Sequence, residues 1–170
     1  SEDRLAAYQQ RACCEMLKAA GKSKGASLSE CWRQLPNSAK KRAPVVKCYA
    51  EQLIASGWMN DADAALRSQI LREYNSELVR LYGRVVLDDT LKQLGFVEKL
   101  QKNHADDDSL LLTLAVFHRR LGSLEQAKAY IEQSIAVAPR PIAYAALADI
   151  YAQEGSFEKS TALLLKSYAL

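Results

Sequence analysis

One spacing recurs along this chain and restricts what it can fold into. Leu111, Leu114, Ala115, Gly122, Ala127 and Ile131 read as large, large, small, turn, small, large, and adding 33 to each number gives Tyr144, Leu147, Ala148, Gly155, Ser160 and Leu164. Subtracting 65 from the same six gives Val46, Tyr49, Ala50, Gly57, Ala62 and Leu66. A unit of this length cannot bury its apolar face alone, so successive units must stack and share a core.

The spacing has a packing reason. Two antiparallel helices approach closely only where small residues sit at their crossing, as Ala115 with Ala127 and Ala50 with Ala62 would. Gly between them supplies the left-handed residue that ends the first helix, and Pro139 with Pro141 closes one unit and opens the next. This is the tetratricopeptide pattern, and it predicts an all-α, right-handed α-solenoid of helical hairpins. The offset of 65 is close to two repeats of about 34, so a further unit belongs between about Asn75 and Ala105. Its helices show as Leu78, Leu81, Tyr82, Val85 and as Leu91, Leu94, Val97, Leu100, without a small residue or a turn glycine between them.

Ahead of these lie a helix from Leu5 to about Ala20, a turn Gly21-Lys22-Ser23-Lys24-Gly25, and a helix opened by Ser27 or Ser29 and closed by Pro36. The stretch from Asn37 to Pro44 joins this hairpin to the array. The expected organisation is therefore an N-terminal hairpin and connector over 1–42 and an array over 43–170, with repeats near 43–74, 75–107, 108–140 and 141–170, all in one solenoid domain.

Composition excludes several functions. With 23 Lys and Arg against 20 Asp and Glu, the charge of +3 is too small for the basic stripe that nucleic acid requires, so no nucleic-acid partner is expected. Cys13, Cys14, Cys31 and Cys48 show no CxxC, which favours reduced thiols in a cytosol-like compartment. No signal peptide is visible after Ser1, and a membrane anchor upstream stays open.

Several segments together resemble the C-terminal part of the HemY family. They are Cys31-Trp32-Arg33-Gln34-Leu35-Pro36, Val45-Val46 through Tyr49-Ala50-Glu51-Gln52-Leu53-Ile54, Glu77-Leu78-Val79-Arg80-Leu81-Tyr82-Gly83, Leu110 to Ala115 and Tyr144 to Asp149. That family comprises bacterial tetratricopeptide proteins associated with haem biosynthesis and anchored by N-terminal membrane helices. The resemblance implies a repeat domain on the cytoplasmic side of the inner membrane, held there by an anchor outside this chain, with protein partners that include haem-pathway enzymes. A flavin-dependent protoporphyrinogen oxidase shares the name but needs a Gly-rich dinucleotide fingerprint, and no GxG occurs here.

No catalytic constellation is legible, and the chain reads as a non-enzyme with no cofactor and no metal. His104 and His118 lie 14 residues apart on different helices with no Cys nearby, and CxxCH is absent. His118 takes the repeat position of Tyr151 and Leu53, a slot that packs between helices, so it is not expected to ligate haem iron. The run Asp106-Asp107-Asp108 reads as a helix cap, and Lys40-Lys41-Arg42 as a solvated patch, with anionic lipid the alternative.

What remains is the face of the first helices, where solenoids bind partners. The register places Lys47, Glu51, Val79, Arg80, Leu112, Val116, Arg119, Arg120, Ala145, Asp149 and Gln153 there, with Arg80, Arg119, Arg120, Lys47 and Val116 as the candidate binding set. Cations among apolar neighbours suit an extended peptide carrying a carboxylate, or a tetrapyrrole with its propionates. A scaffold in haem biosynthesis, a general peptide adaptor or chaperone, and direct porphyrin or haem binding are the three open readings. Arg140, on the turn between repeats and outside the groove, is expected to leave partner binding nearly unchanged when reversed.

Overall fold

The computed structural model describes residues 2–22 and 26–170, and every regular element among them is a helix. In order these are α1 (Glu2–Lys22), α2 (Ala26–Gln34), α3 (Asn37–Lys40), α4 (Ala43–Ala55), α5 (Met59–Arg72), α6 (Ser76–Tyr82), α7 (Thr90–Gln101), α8 (Asp108–Arg120), α9 (Leu124–Val137), α10 (Pro141–Gln153) and α11 (Phe157–Tyr168). The fold is an all-α array of tetratricopeptide-type hairpins.

The chain divides into two compact units, Ser1–Val86 and Leu87–Leu170. In the first, α1 packs on α2 and α4, α4 on α5, and α5 on α6; in the second, each of α7 to α10 packs on the helix that follows it. The division falls inside the stretch 75–107 read as one repeat, so α6 is described with the first unit and α7 with the second. Seven residues separate these two helices, 83–89, where the regular pairs are joined by three.

Those three-residue turns carry the signature the repeat required. Gly57, Gly122 and Gly155 take φ of 78°, 78° and 77°, and no other described residue has positive φ. At the second, Ser123 N donates to His118 O at 2.9 Å and Gly122 N to Arg119 O at 3.0 Å, the paired bonds of a Schellman end. Trp58 with Leu53 and Ser156 with Tyr151 repeat the longer bond at 2.9 and 2.8 Å. A Cβ at Gly122 would meet nothing within 4 Å, so glycine is needed there for its φ and not for space. Gly83, at the end of α6, has φ −57° and makes no such turn.

The register also predicts burial. Ala50, Ala62, Leu66, Leu114 and Ala127 are fully buried, with Ala115 and Ile131 within 3% of it. Leu91, expected to be apolar core, is 69% exposed because α7 buries only Gln93, Leu94, Phe96 and Val97. The N-terminal hairpin is longer than its sequence signals suggested. The segment from Ala26 is already helical, so Ser27 and Ser29 lie inside α2 and open nothing, and the turn residues 23–25 lie outside the described residues. The connector contributes its own turn of helix, α3, and Pro44 sits in the first turn of α4, where its missing N–H costs no bond. Trp32 of α2 stacks on Tyr49 of α4, rings 4.1 Å apart and 3° from parallel, which seats the hairpin on the first regular repeat.

Candidate functional site

In the first unit the first-helix face forms a cleft. A cavity of about 280 Å³ is lined by Lys18 of α1, Lys47, Cys48 and Glu51 of α4, and Glu77 and Leu78 of α6. Lys47 Nζ donates to Glu77 Oε2 at 2.7 Å, and this ammonium holds the Glu77 carboxyl below its usual range, with Arg80 adding to the effect. Lys18 bonds Glu15 at 3.0 Å on its own helix. The walls therefore carry both signs of charge, which fits a peptide's polar backbone and mixed side chains better than a concentrated anion. Arg80 is exposed on α6, whereas Val79, placed on this face by the register, is buried at 1%. Helix α6 is short and buries Leu78, Val79, Leu81 and Tyr82, leaving Glu77 and Arg80 exposed.

The second unit shows the same device. Arg119 of α8 reaches Asp149 of α10 at 3.6 Å, one first helix to the next, just as Lys47 reaches Glu77. Both pairs are 30 residues apart, so opposite charges at that offset on first helices were the sequence signal that would have found them. Arg120 does something else. Its guanidinium lies 5.3 Å over the ring of Phe117 on its own helix; although the residue stays exposed by area, partial burial of the charged group lowers its pKa. Arg119 and Arg120 thus face different neighbours. Val116 stands out at 37% exposure, but Leu112 belongs to the core at 8%, beside Ala115, Ala127 and Leu147.

Arg140 is not a bystander. Its Nε lies 2.8 Å from Asp108 Oδ2 and its Nη2 3.2 Å from Oδ1, tying the start of α10 to the start of α8, with the Asp108 side chain only 13% exposed. The sequence placed it only on the turn between repeats, because no periodicity marks a bond between two repeat boundaries. Arg140→Glu is expected to cost about 2 kcal/mol, since it sets a second carboxylate against a largely buried one while Arg140 itself is half in water. An unchanged urea midpoint would refute this.

The capping expectation holds one residue at a time. Asp107 is the cap, accepting from Ser109 N at 2.8 Å and Leu110 N at 3.0 Å, which leaves Asp108 for Arg140. The basic cluster is also partly committed to the fold: Lys40 Nζ donates to Arg33 O at 2.8 Å and Arg42 to Ala6 O at 2.9 Å. Among the described residues no group of three or more His, Cys, Asp or Glu is placed to hold a metal, and no helix is long and apolar enough to cross a membrane.

His118 fills its aromatic slot, its ring 5.3 Å from that of Tyr130 on α9 and 23° from parallel. Burial lowers its pKa, opposed by Glu98. Folding then favours the neutral ring, so its contribution to stability is complete above the unfolded value of about 6.5 and is lost as pH falls through the lower folded one. Between pH of about 7.5 and 5, the melting temperature should fall more steeply for the parent than for His118→Phe. Equal slopes would assign the dependence elsewhere. All four cysteines are free thiols. Burial, with the Cys48 thiol hydrogen-bonded beside it, pushes Cys14 up to about 12, so it stays protonated and unreactive at neutral pH.

Comparison with known proteins agrees with the geometry. The tetratricopeptide repeat family matches residues 109–141, which span α8 and α9. Among solved structures, "MamA 41-end from Desulfovibrio magneticus RS-1" superposes with a TM-score of 0.60 at 14% identity, covering 95% of this chain and 94% of that one. "Crystal structure of MamA" gives 0.57 at 13%, covering 84% and 86%. At such identity the likeness is one of fold. No curated protein matches the chain.

Proposed function

We propose that this chain is a non-catalytic tetratricopeptide scaffold that binds protein partners along the faces of its first helices. The observation that carries this is the cleft between α1, α4 and α6, whose polar walls stand on the face where solenoids of this type take extended segments. We further propose, on the resemblance to the HemY family, that the partners belong to bacterial haem biosynthesis and that the domain works on the cytoplasmic side of the inner membrane.

The test uses the chain as bait in a bacterial lysate. Recovery of porphyrin-pathway enzymes supports the haem reading, and recovery of unrelated clients alone replaces it with a general adaptor. Lys47→Glu and Arg119→Glu should each weaken the captured partner about tenfold or more, because a charge-assisted contact contributes roughly 1.5–3 kcal/mol. Their melting temperatures should stay close to the parent's, since the carboxylates they leave unpaired are solvent-exposed. Normal binding by both variants would remove the first-helix face from the interface.

A further inference from the structure

We propose that Cys48 is a modification site for low-molecular-weight disulfides of the glutathione class, and that Cys14 resolves the product into a disulfide joining α1 to α4. All four cysteines fall on α1, α2 and α4, and the packing sorts them into two pairs. Cys13 and Cys14 are adjacent on α1, about 100° apart around its axis, so one is buried towards Cys31 of α2 and the other turned to Cys48 of α4. The second pair is in contact. Cys14 Sγ donates to Pro44 O at 3.6 Å, and Pro44 stands one turn before Cys48, so the two thiols meet where α1 packs on α4 and hydrogen-bond to each other. A disulfide needs that proximity.

Cys48 is the thiol that meets the reagent. It lines the cleft with Lys18 and Lys47, whereas Cys31 opens onto a recess whose charged wall is Glu30. Lys18 lies one turn along α1 from Cys14 and close enough to both sulfurs for its charge to favour a thiolate there. The two ammonium groups also bond Glu15 and Glu77, and walls of both signs suit the carboxylates and amines of a peptidyl disulfide. In the first step the Cys48 thiolate attacks one sulfur of the small disulfide, the S–S bond breaks, and the departing thiolate takes up the proton that Cys48 gave up. Burial and the neighbouring Cys48 keep the proton on Cys14 at this stage, which fixes the order. Cys14 then attacks the Cys48 sulfur, its proton goes to the second departing thiolate, and the pair has lost two electrons to the small disulfide. The new bond ties residues 34 apart in sequence and staples α1 to the first regular repeat.

The whole chain is incubated with excess oxidised glutathione at mildly alkaline pH, then alkylated and digested for mass spectrometry. The expected product links the peptides of Cys14 and Cys48, and it is absent from Cys14→Ser, in which Cys48 instead accumulates as the mixed disulfide with glutathione. Lys18→Glu should slow that labelling about threefold or more. The oxidised parent should melt about 5 °C or more above the reduced one, and dithiothreitol should reverse the gain. A link between Cys13 and Cys31 in place of this one overturns the proposal, as does labelling of Cys31 ahead of Cys48 or a mixed disulfide on Cys48 that persists in the parent. Resistance of all four thiols, or a lower melting temperature on oxidation, overturns it as well.

Discussion

Tyr82→Ala is expected to lower the stability of the first unit by about 3–5 kcal/mol, the range for deleting a large buried ring. Tyr82 is fully buried at the end of α6, and its hydroxyl donates to Asp63 Oδ1 of α5 at 2.7 Å. Two effects compete to explain its weight, and their sizes separate them. Tyr82→Phe removes only the bond to a carboxylate that stays partly solvated and lies 3.8 Å from Arg67, so about 1–2 kcal/mol is expected. The volume effect should win. Urea midpoints for the two variants check this, and similar midpoints would mean that the hydroxyl, not the ring, anchors α6. In a seven-residue helix, too short to be stable by itself, a loss of that size should release α6 from α5.

Ala127→Trp should cost the second unit about 3 kcal/mol by the opposite mechanism, overpacking. Ala127 is fully buried where α8 and α9 cross, among Leu112, Ala115 and Ile131 of those helices and Ala143, Leu147 and Ile150 of α10. No neighbour is exposed enough to turn away, so an indole must push helices apart. Lys102→Ala, on an exposed residue just past α7, should stay within about 0.5 kcal/mol. Equal denaturation midpoints for these two variants would show that the repeat register does not describe the packing.

The register was legible because a tetratricopeptide hairpin is specified locally. The Gly at each turn is dictated by a backbone angle, and the Ala at each crossing by the distance between two axes. Both leave a mark at a fixed interval. His118 could be placed between helices for the same reason, since its slot recurs as Tyr151, whereas its stacking on Tyr130 came from the structure. The N-terminal boundaries were less legible. Ser27 and Ser29 look like caps, yet α2 begins at Ala26, and α3 forms in a stretch read as a connector.

The sequence by itself determined the class of fold, the positions of the regular turns and the small residues at the crossings, all consequences of short-range sterics repeated at one period. Only the tertiary structure decided which charges meet. Lys47 chose Glu77, Arg119 chose Asp149, and Arg140 chose Asp108 over solvent, while Arg120 folded back over Phe117. Long side chains find partners a repeat away, and their choice turns on distances of a few ångströms between helices, which an apolar period does not encode. The same packing buried Val79 and Leu112 and left Leu91 69% exposed, because a position in the register fixes the direction of a side chain but not whether a neighbour stands there to cover it.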